Sequence, residues 1–189
     1  MIIQRVDRVH ANEAAALLTE LRVSLLGAHS VDLHRTLVYD ALAGRIDCRI
    51  AVDDGGVCGI VVAAPASYWP MLLLRNWRIA AEFARAKLAR GGGNGEAPAQ
   101  HRLLTTFAGG VPPFTWTNPG DAWRIIIVGT AERARGRGIA AALYRALMTE
   151  RSLAARIACD NAASLRLHES LGWQLFPDGD VVLAVHVNS

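Results

Sequence analysis

The chain has 189 residues, 52% of them apolar, and a formal net charge of +3. This length favours one domain with a packed core, and the small net charge argues against nucleic-acid binding. No apolar run is long enough to span a bilayer, and the first residues carry charges where a signal peptide needs apolar side chains. We therefore expect a cytoplasmic protein without integral membrane association. The three cysteines are widely spaced and indicate neither a metal site nor a disulfide framework.

The N-terminal third alternates between strand-like and helix-like segments. Strands are predicted at 2–6, 48–52 and 57–64, and helices at 12–21 and 30–44. The residues between the second and third strands read "DDGG", which is typical of a hairpin turn.

Residues 65–122 break this pattern and are predicted to be an insertion. A basic helix is expected over 71–90, with an apolar stripe that includes Trp77 and packs it against the core. A basic amphipathic helix of this kind also suits a membrane surface or a protein partner. The following segment is rich in glycine, proline and aromatic residues, so we expect it to be irregular and to line a pocket.

The last third is regular again. Strands are predicted at 123–130, 155–159, 173–176 and 181–187, and helices at 138–151 and 161–172. The complete order is β-α-α-β-β-insertion-β-α-β-α-β-β. Helices interspersed with strands in this way indicate a sheet with helices on its faces.

A turn rich in glycine and arginine, "RARGRGIA" at 133–140, leads into the helix at 138–151. Backbone N–H groups converge at such a turn, and the helix dipole favours an anion there. Gly136 and Gly138 allow a tight bend and a close approach of a phosphate to the backbone. The neighbouring arginines can add charge-assisted hydrogen bonds. The turn is therefore predicted to bind a phosphate-bearing ligand.

One candidate ligand is a nicotinamide dinucleotide, which would make the protein an oxidoreductase. "GRGIAA" fits the dinucleotide fingerprint, and Asp160 follows at about the expected distance of ~20 residues. However, Gly136 comes well after the apolar strand that ends near Val128. Too few residues also remain beyond Asp160 for the rest of a doubly wound sheet.

The other candidate is acetyl-coenzyme A, because "RGRGIA" resembles the pyrophosphate-binding motif of the GNAT family of N-acetyltransferases. The residues that meet this motif are Arg135, Gly138 and Ala140. A later segment, "DNAASLRLHESLGWQLF", resembles the next segment of the same family. There Asn161 opens a helix, and His168 stands where the family usually has a tyrosine.

The resemblance covers residues 123–187 well. It implies a single acyl-CoA N-acyltransferase domain over 1–189, with α/β architecture and a mixed, V-shaped sheet of about seven strands. The insertion at 65–122 and the first two helices would shape the acceptor site. The pantetheine arm of acetyl-coenzyme A would lie between two parallel strands that splay apart.

The reaction implied is transfer of an acetyl or short acyl group to a primary amine of a small molecule, such as an amino sugar, by direct attack. No metal is expected, and the protein would be a monomer or a homodimer. A catalytically silent acyl-CoA sensor is the alternative of another class.

The residues implied for the cofactor lie on the two motifs and on the strand before them. They are Ile127, Val128, Thr130, Arg133, Arg135, Gly136, Arg137, Gly138, Ile139, Ala140, Ala141, Asn161 and Ser164. His168 shares a helical face with Asn161 and is predicted as the general acid for the leaving thiolate. Asp121 is the nearest candidate for a general base, because Arg124 stands where the family often has a glutamate.

Two tryptophans, Trp116 and Trp123, are predicted to contact the acceptor, since their rings offer stacking surface for a sugar or an aromatic amine.

Overall fold

The computed structural model describes residues 1–21, 31–90 and 122–188, without the side chains of 83 and 86–90. Its strands are β1 (Ile2–Arg5), β2 (Asp47–Asp53), β3 (Gly56–Ala64), β4 (Trp123–Thr130), β5 (Leu153–Ala158), β6 (Gln174–Asp178) and β7 (Val181–His186). Its helices are α1 (Ala11–Glu20), α2 (Val31–Leu42), α3 (Tyr68–Arg75), α4 (Trp77–Arg90), α5 (Ile139–Met148) and α6 (Ala162–Ser170). Among these described residues, no helix combines the length and hydropathy that crossing a bilayer requires.

The seven strands form one sheet in the order β1-β2-β3-β4-β5-β7-β6. Neighbouring strands are antiparallel except for β4 and β5, which run parallel. The predicted mixed sheet of about seven strands is confirmed. A doubly wound parallel sheet, which the dinucleotide alternative requires, is not what this part of the chain forms.

The parallel pair β4–β5 is joined only at its start. Trp123 pairs with Leu153 and Arg124 pairs with Ala154, and no further backbone pair joins these two described strands. Both strands continue beyond these residues, so they diverge and leave a V-shaped gap in the middle of the sheet. We refer to the paired end as the base of the V.

Helices cover the sheet on two sides. Helices α1 to α4 pack over the face that contains Ile50 and Ile60, here named the α1 face. Helix α5 packs over the opposite face, which contains Val61 and Ile157 and is named the α5 face. The core therefore has two layers separated by the sheet. Each fully buried leucine or isoleucine in these layers contributes about 1.5–3 kcal/mol to the stability of the fold.

The predicted insertion begins with two helices instead of the one expected over 71–90. The chain breaks at Asn76, where φ is −131° and ψ is 86°, and the Asn76 side chain accepts a hydrogen bond from the Ile79 N–H at 3.3 Å. Asparagine is a favoured cap at the start of a helix. The break changes the phase of α4, so that Ile79 is buried while Trp77 is 73% exposed. The prediction that Trp77 packs against the core is therefore wrong.

Helix α3 is tied to α2 by a buried carboxylate, Asp40, which is 4% exposed. Asp40 accepts hydrogen bonds from the Tyr68 hydroxyl at 2.8 Å and from Arg75 at 3.0 Å, and it pairs with Arg45 at 2.7 Å. This arrangement fixes the start of the insertion against the N-terminal half of the domain.

Candidate functional site

The edge of β4 that faces the gap offers free backbone groups. Just beyond the strand, the Ala131 N–H donates to the Cys58 carbonyl at 2.9 Å. Because hydrogen-bonded and non-hydrogen-bonded residues alternate along an antiparallel pair, the N–H and C=O groups of Thr130 and Val128 point away from β3 and into the gap. The backbone of Ile127 points to β3, so this predicted residue contributes no free backbone group.

The gap continues into the glycine- and arginine-rich turn. After a 3-10 turn at Glu132–Ala134, both Gly136 and Gly138 adopt positive φ values, 76° and 72°. A Cβ built on either glycine would meet no atom within 4 Å. The space above both glycines is therefore open, and a side chain at either position would be strained.

Helix α5 starts directly after Gly138 with unpaired donors. Its first intrahelical bond runs from the Ala142 N–H to the Gly138 carbonyl at 3.1 Å. The N–H groups of Ile139, Ala140 and Ala141 consequently have no acceptor within the helix. Together with the helix dipole, these groups form a site suited to an anion, as predicted for this turn.

Two of the three arginines in the turn brace it against the β2–β3 hairpin. Arg133 and Arg137 lie 3.0 and 2.9 Å from the two carboxylate oxygens of Asp53. Arg133 also donates to the Gly55 carbonyl at 3.0 Å. The hydrogen bond from Arg133, followed by that from Arg137, lowers the pKa of Asp53 to about 2.

Arg135 is exposed and forms no ion pair within the described part of the chain. It is therefore the arginine of the turn that is available to a phosphate. From the sequence alone, Asp53 is predicted only as part of a hairpin turn, because the ion pair with Arg133 joins residues 80 positions apart. The abundance of arginine in the turn was the one sign that a carboxylate from another part of the chain could form an ion pair there.

Helix α6 begins on the other side of the gap. The Asn161 side chain accepts a hydrogen bond from the Ser164 N–H at 3.1 Å, which confirms Asn161 as the N-cap. Asn161 is exposed, so its side-chain NH₂ group remains available to a ligand.

His168, the predicted general acid, is buried within a cluster of rings. It is 1% exposed, and its ring meets Tyr144 and Trp173 edge-on at centroid distances of 4.9 and 4.7 Å. Its Nδ1 lies 2.7 Å from the Ser164 carbonyl and must carry the proton that this hydrogen bond needs. Its Nε2 is buried without a partner among the described residues.

Burial lowers the pKa of His168. The neutral ring has no proton on Nε2 to give to a thiolate, so the geometry favours a packing role. The general-acid role stays a prediction.

The lowered pKa of His168 predicts a pH-dependent stability. The unfolded chain binds a proton at this residue near pH 6.5 while the folded chain does not, so stability falls as pH decreases below that value. We expect the melting temperature of the wild type to drop more between pH 7 and pH 5 than that of His168→Phe, as measured by calorimetry. His10→Phe, at a partly exposed histidine, is the control. Equal pH dependence in wild type and His168→Phe would contradict this reading.

Trp123 lies away from the gap. Its ring packs on the α5 face, and the Arg151 guanidinium covers it at 3.8 Å from the ring centroid. Arg151 in turn lies 3.5 Å from Asp47. These contacts account for Trp123 without a ligand, and its contact with an acceptor stays a prediction. Asp121 and Trp116 lie outside the described residues.

No cluster of three or more metal-binding side chains occurs in the ranges that the structure describes.

The sequence matches one known family over its second half. Residues 102–173 match the profile of the acetyltransferase (GNAT) family. This range contains β4, the glycine- and arginine-rich turn, α5 and α6. No curated protein sequence matches the chain.

Solved acetyltransferases share the fold at low sequence identity. A ribosomal-protein-alanine N-acetyltransferase from Brucella melitensis is 16% identical with a TM-score of 0.56, covering 98% of this chain and 97% of that one. NAA60 of Arabidopsis thaliana in complex with acetyl-CoA is 13% identical with a TM-score of 0.59 and the same coverages. YncA of Salmonella typhimurium, solved with acetyl-CoA, is 14% identical with a TM-score of 0.55, covering 98% and 91%.

The sequence match includes the two segments that border the gap, and the structural matches cover 98% of this chain. Residues 102–173 therefore match the GNAT family of acetyltransferases, and the described residues have the fold of solved acetyltransferases.

Proposed function

We propose that this acetyltransferase transfers an acetyl or short acyl group from acetyl-CoA to a primary amine of a small molecule by direct attack. The observation that carries the proposal is the V-shaped gap between β4 and β5, which opens next to a turn rich in free N–H groups. Two similar structures, NAA60 and YncA, were solved with acetyl-CoA. Their fold supports the same donor here.

The donor is expected to lie along the gap from the turn toward the base of the V. The pyrophosphate would accept hydrogen bonds from the N–H groups of residues 139–141 and from Arg135. The pantetheine arm would run beside β4, where the free groups of Val128 and Thr130 can bond its amides. The thioester would then lie closer to the base of the V than the pyrophosphate does.

The transfer needs no further reactant. The lone pair of a neutral amine attacks the thioester carbon, so that a C–N bond forms and the C–S bond breaks. The amine loses one proton and the coenzyme A thiolate gains one. A free thiol has a pKa near 8.5, so the thiolate is a fair leaving group without a strong acid. Solvent can therefore carry both proton transfers while His168 stays buried and neutral.

The acceptor is expected to approach from the α1 face, because the turn and the start of α5 occupy the other side of the gap. We propose that residues 1–189 act as one domain and that the insertion at 65–122 shapes the acceptor site. The Asp40 contacts between α2 and α3 support this, since they fix the start of the insertion beside the N-terminal helices.

The proposal is tested by calorimetry with acetyl-CoA, followed by thiol release with amino sugars, polyamines, amino acids, aminoglycosides and a peptide with a free N-terminal alanine. We expect binding together with turnover of at least one small amine. Turnover of the peptide alone would refute the small-molecule acceptor. Binding without any thiol release would identify a silent acyl-CoA sensor.

Arg135 provides a sharper test of the donor site. A charge-assisted hydrogen bond contributes about 1.5–3 kcal/mol, so Arg135→Ala should weaken acetyl-CoA binding by about tenfold or more. Calorimetry measures the change. Arg145→Ala, at an exposed arginine on α5, is the matched control and should leave affinity within about twofold. Equal effects of the two substitutions on affinity would show that Arg135 does not belong to the donor site.

A further inference from the structure

Helix α3 and the start of α4 expose three large apolar side chains. Met71 is 51% exposed, Leu74 82% and Trp77 73%. They follow one another at intervals of three residues, so consecutive members lie within about 10 Å of each other. Single exposed apolar side chains are common on protein surfaces, whereas a group of them marks a surface that contacts another molecule.

The other side of the two helices accounts for their packing on the domain. Tyr68, Leu72 and Ile79 are buried in the core of the α1 face. The Asp40 carboxylate also holds Tyr68 of α3 through its hydroxyl at 2.8 Å. The helices are therefore anchored by their buried side, and the fold itself does not use the three exposed apolar side chains.

Positive charge accompanies this apolar group. Arg78 and Arg85 are exposed and form no ion pair with another residue that the structure describes. The Arg78 guanidinium lies 5.7 Å from the centroid of the Trp77 ring. In the sequence of α4, Glu82 is the single acidic residue against four basic ones: Arg78, Arg85, Lys87 and Arg90. We refer to Met71, Leu74, Trp77, Arg78 and Arg85 as the α3–α4 surface.

This combination is complementary to the surface of an anionic bilayer. Leucine and methionine side chains favour the boundary between headgroups and acyl chains, and the amphipathic ring of tryptophan favours the headgroup level. Arginine can lay its apolar stem along the same boundary and keep its guanidinium among the lipid phosphates. Each arginine close to an anionic bilayer raises affinity about fivefold.

A second copy of the chain fits the α3–α4 surface less well. In a symmetric dimer the same patch of both copies would meet, because a two-fold interface is self-complementary. The arginines of one copy would then lie close to those of the other, and like charges across an interface are unfavourable. An anionic bilayer covers the apolar side chains and neutralises the arginines at the same time.

We propose that the α3–α4 surface binds the protein peripherally to membranes that contain anionic lipids. The partner is the lipid surface itself, with Leu74 and Trp77 inserted at its headgroup boundary and Arg78 and Arg85 on its phosphates. The inference does not depend on the proposed acetyl transfer, because none of these residues belongs to the donor site.

The test is sedimentation of the full chain with vesicles of defined composition. Vesicles of phosphatidylcholine with about 30% phosphatidylglycerol are compared with vesicles of phosphatidylcholine alone, at about 0.1 M salt. We expect at least about tenfold stronger binding to the anionic vesicles. Raising the salt to about 0.5 M should weaken this binding, because it screens the contribution of the arginines.

Substitutions then assign the binding to the α3–α4 surface. Leu74→Ser combined with Trp77→Ser should weaken binding to anionic vesicles by about tenfold or more. Arg78→Gln combined with Arg85→Gln should weaken it by a similar factor and reduce the preference for anionic lipid. The controls are Tyr39→Ser, at an exposed apolar residue of α2, and Arg145→Gln combined with Arg166→Gln, at exposed arginines of α5 and α6. Both controls should bind as the wild type does.

Three results would overturn the inference. The first is equal sedimentation with anionic and neutral vesicles, or none with either. The second is an effect of the α3–α4 substitutions no larger than that of the controls. The third is a concentration-dependent dimer that is lost in the variant with Leu74→Ser and Trp77→Ser, since a second copy would then occupy this surface. Melting temperatures show that each variant is folded, and acetyl-CoA binding is measured separately because it tests the proposed function.

Discussion

Gly138→Glu should weaken acetyl-CoA binding by about 100-fold or more. Gly138 has a φ of 72°, with open space where a Cβ would project, directly before the free N–H groups of α5. A glutamate there fills the space a phosphate needs and places a negative charge against it, which costs several kcal/mol. Titration calorimetry with acetyl-CoA measures the loss.

Gly44→Glu is the control, because it introduces the same backbone strain at a glycine outside the turn. Gly44 lies two residues after α2 with a φ of 70°, and a Cβ there would also meet no atom within 4 Å. Both substitutions should therefore cost a similar amount of stability, about 1–2 kcal/mol, through the left-handed backbone. Only Gly138→Glu should change the affinity. An unchanged affinity in Gly138→Glu would contradict the assignment of the turn to the pyrophosphate.

Asp40→Ala should destabilise the fold by about 2–3 kcal/mol. The substitution leaves the buried Tyr68 hydroxyl without its acceptor and removes the counter-ion of Arg45 and Arg75. The effect is smaller than for a fully buried ion pair, because both arginines are partly exposed and can be hydrated. Chemical denaturation measures the loss, and a melting temperature lower by about 5–10 °C should accompany it.

The control is Asp32→Ala, at an exposed aspartate in the first turn of the same helix. It should cost about 0.5 kcal/mol, mainly through the helix dipole. Because Asp40 ties the insertion to α2, Asp40→Ala should also raise KM for the acceptor more than for acetyl-CoA. A stability loss no larger than that of Asp32→Ala would show that Asp40 is not a structural anchor.

Features that are formed by residues close together in the sequence were predictable. The order of strands and helices follows from local hydrophobic periodicity, and the turn at Gly136 and Gly138 follows from residues within a few positions of each other. Asn161 was recognisable as a cap for the same reason, since it bonds the backbone of Ser164 three residues later. Residue types and spacing are sufficient to predict a structural feature where the interaction that forms it is local.

Predictions that depended on burial or on distant partners were less secure. Trp77 has the right spacing for an apolar stripe, but the break at Asn76 turns it to solvent. His168 has the right spacing on its helix, yet the ring of Tyr144 in α5 and that of Trp173 just before β6 bury it. Neither the phase of a broken helix nor the packing of a ring follows from one segment alone.

The sequence by itself determined the order of strands and helices along the chain and the resemblance of its second half to the GNAT family, because these depend on contiguous residues. Only the tertiary structure decided which arginines of the turn are held in ion pairs and which one is available to a ligand. Arg133 and Arg137 are engaged by Asp53, whereas Arg135 forms no ion pair within the described part of the chain. Charges act through space, so which arginine is neutralised depends on strand pairing that brings together residues far apart in the chain.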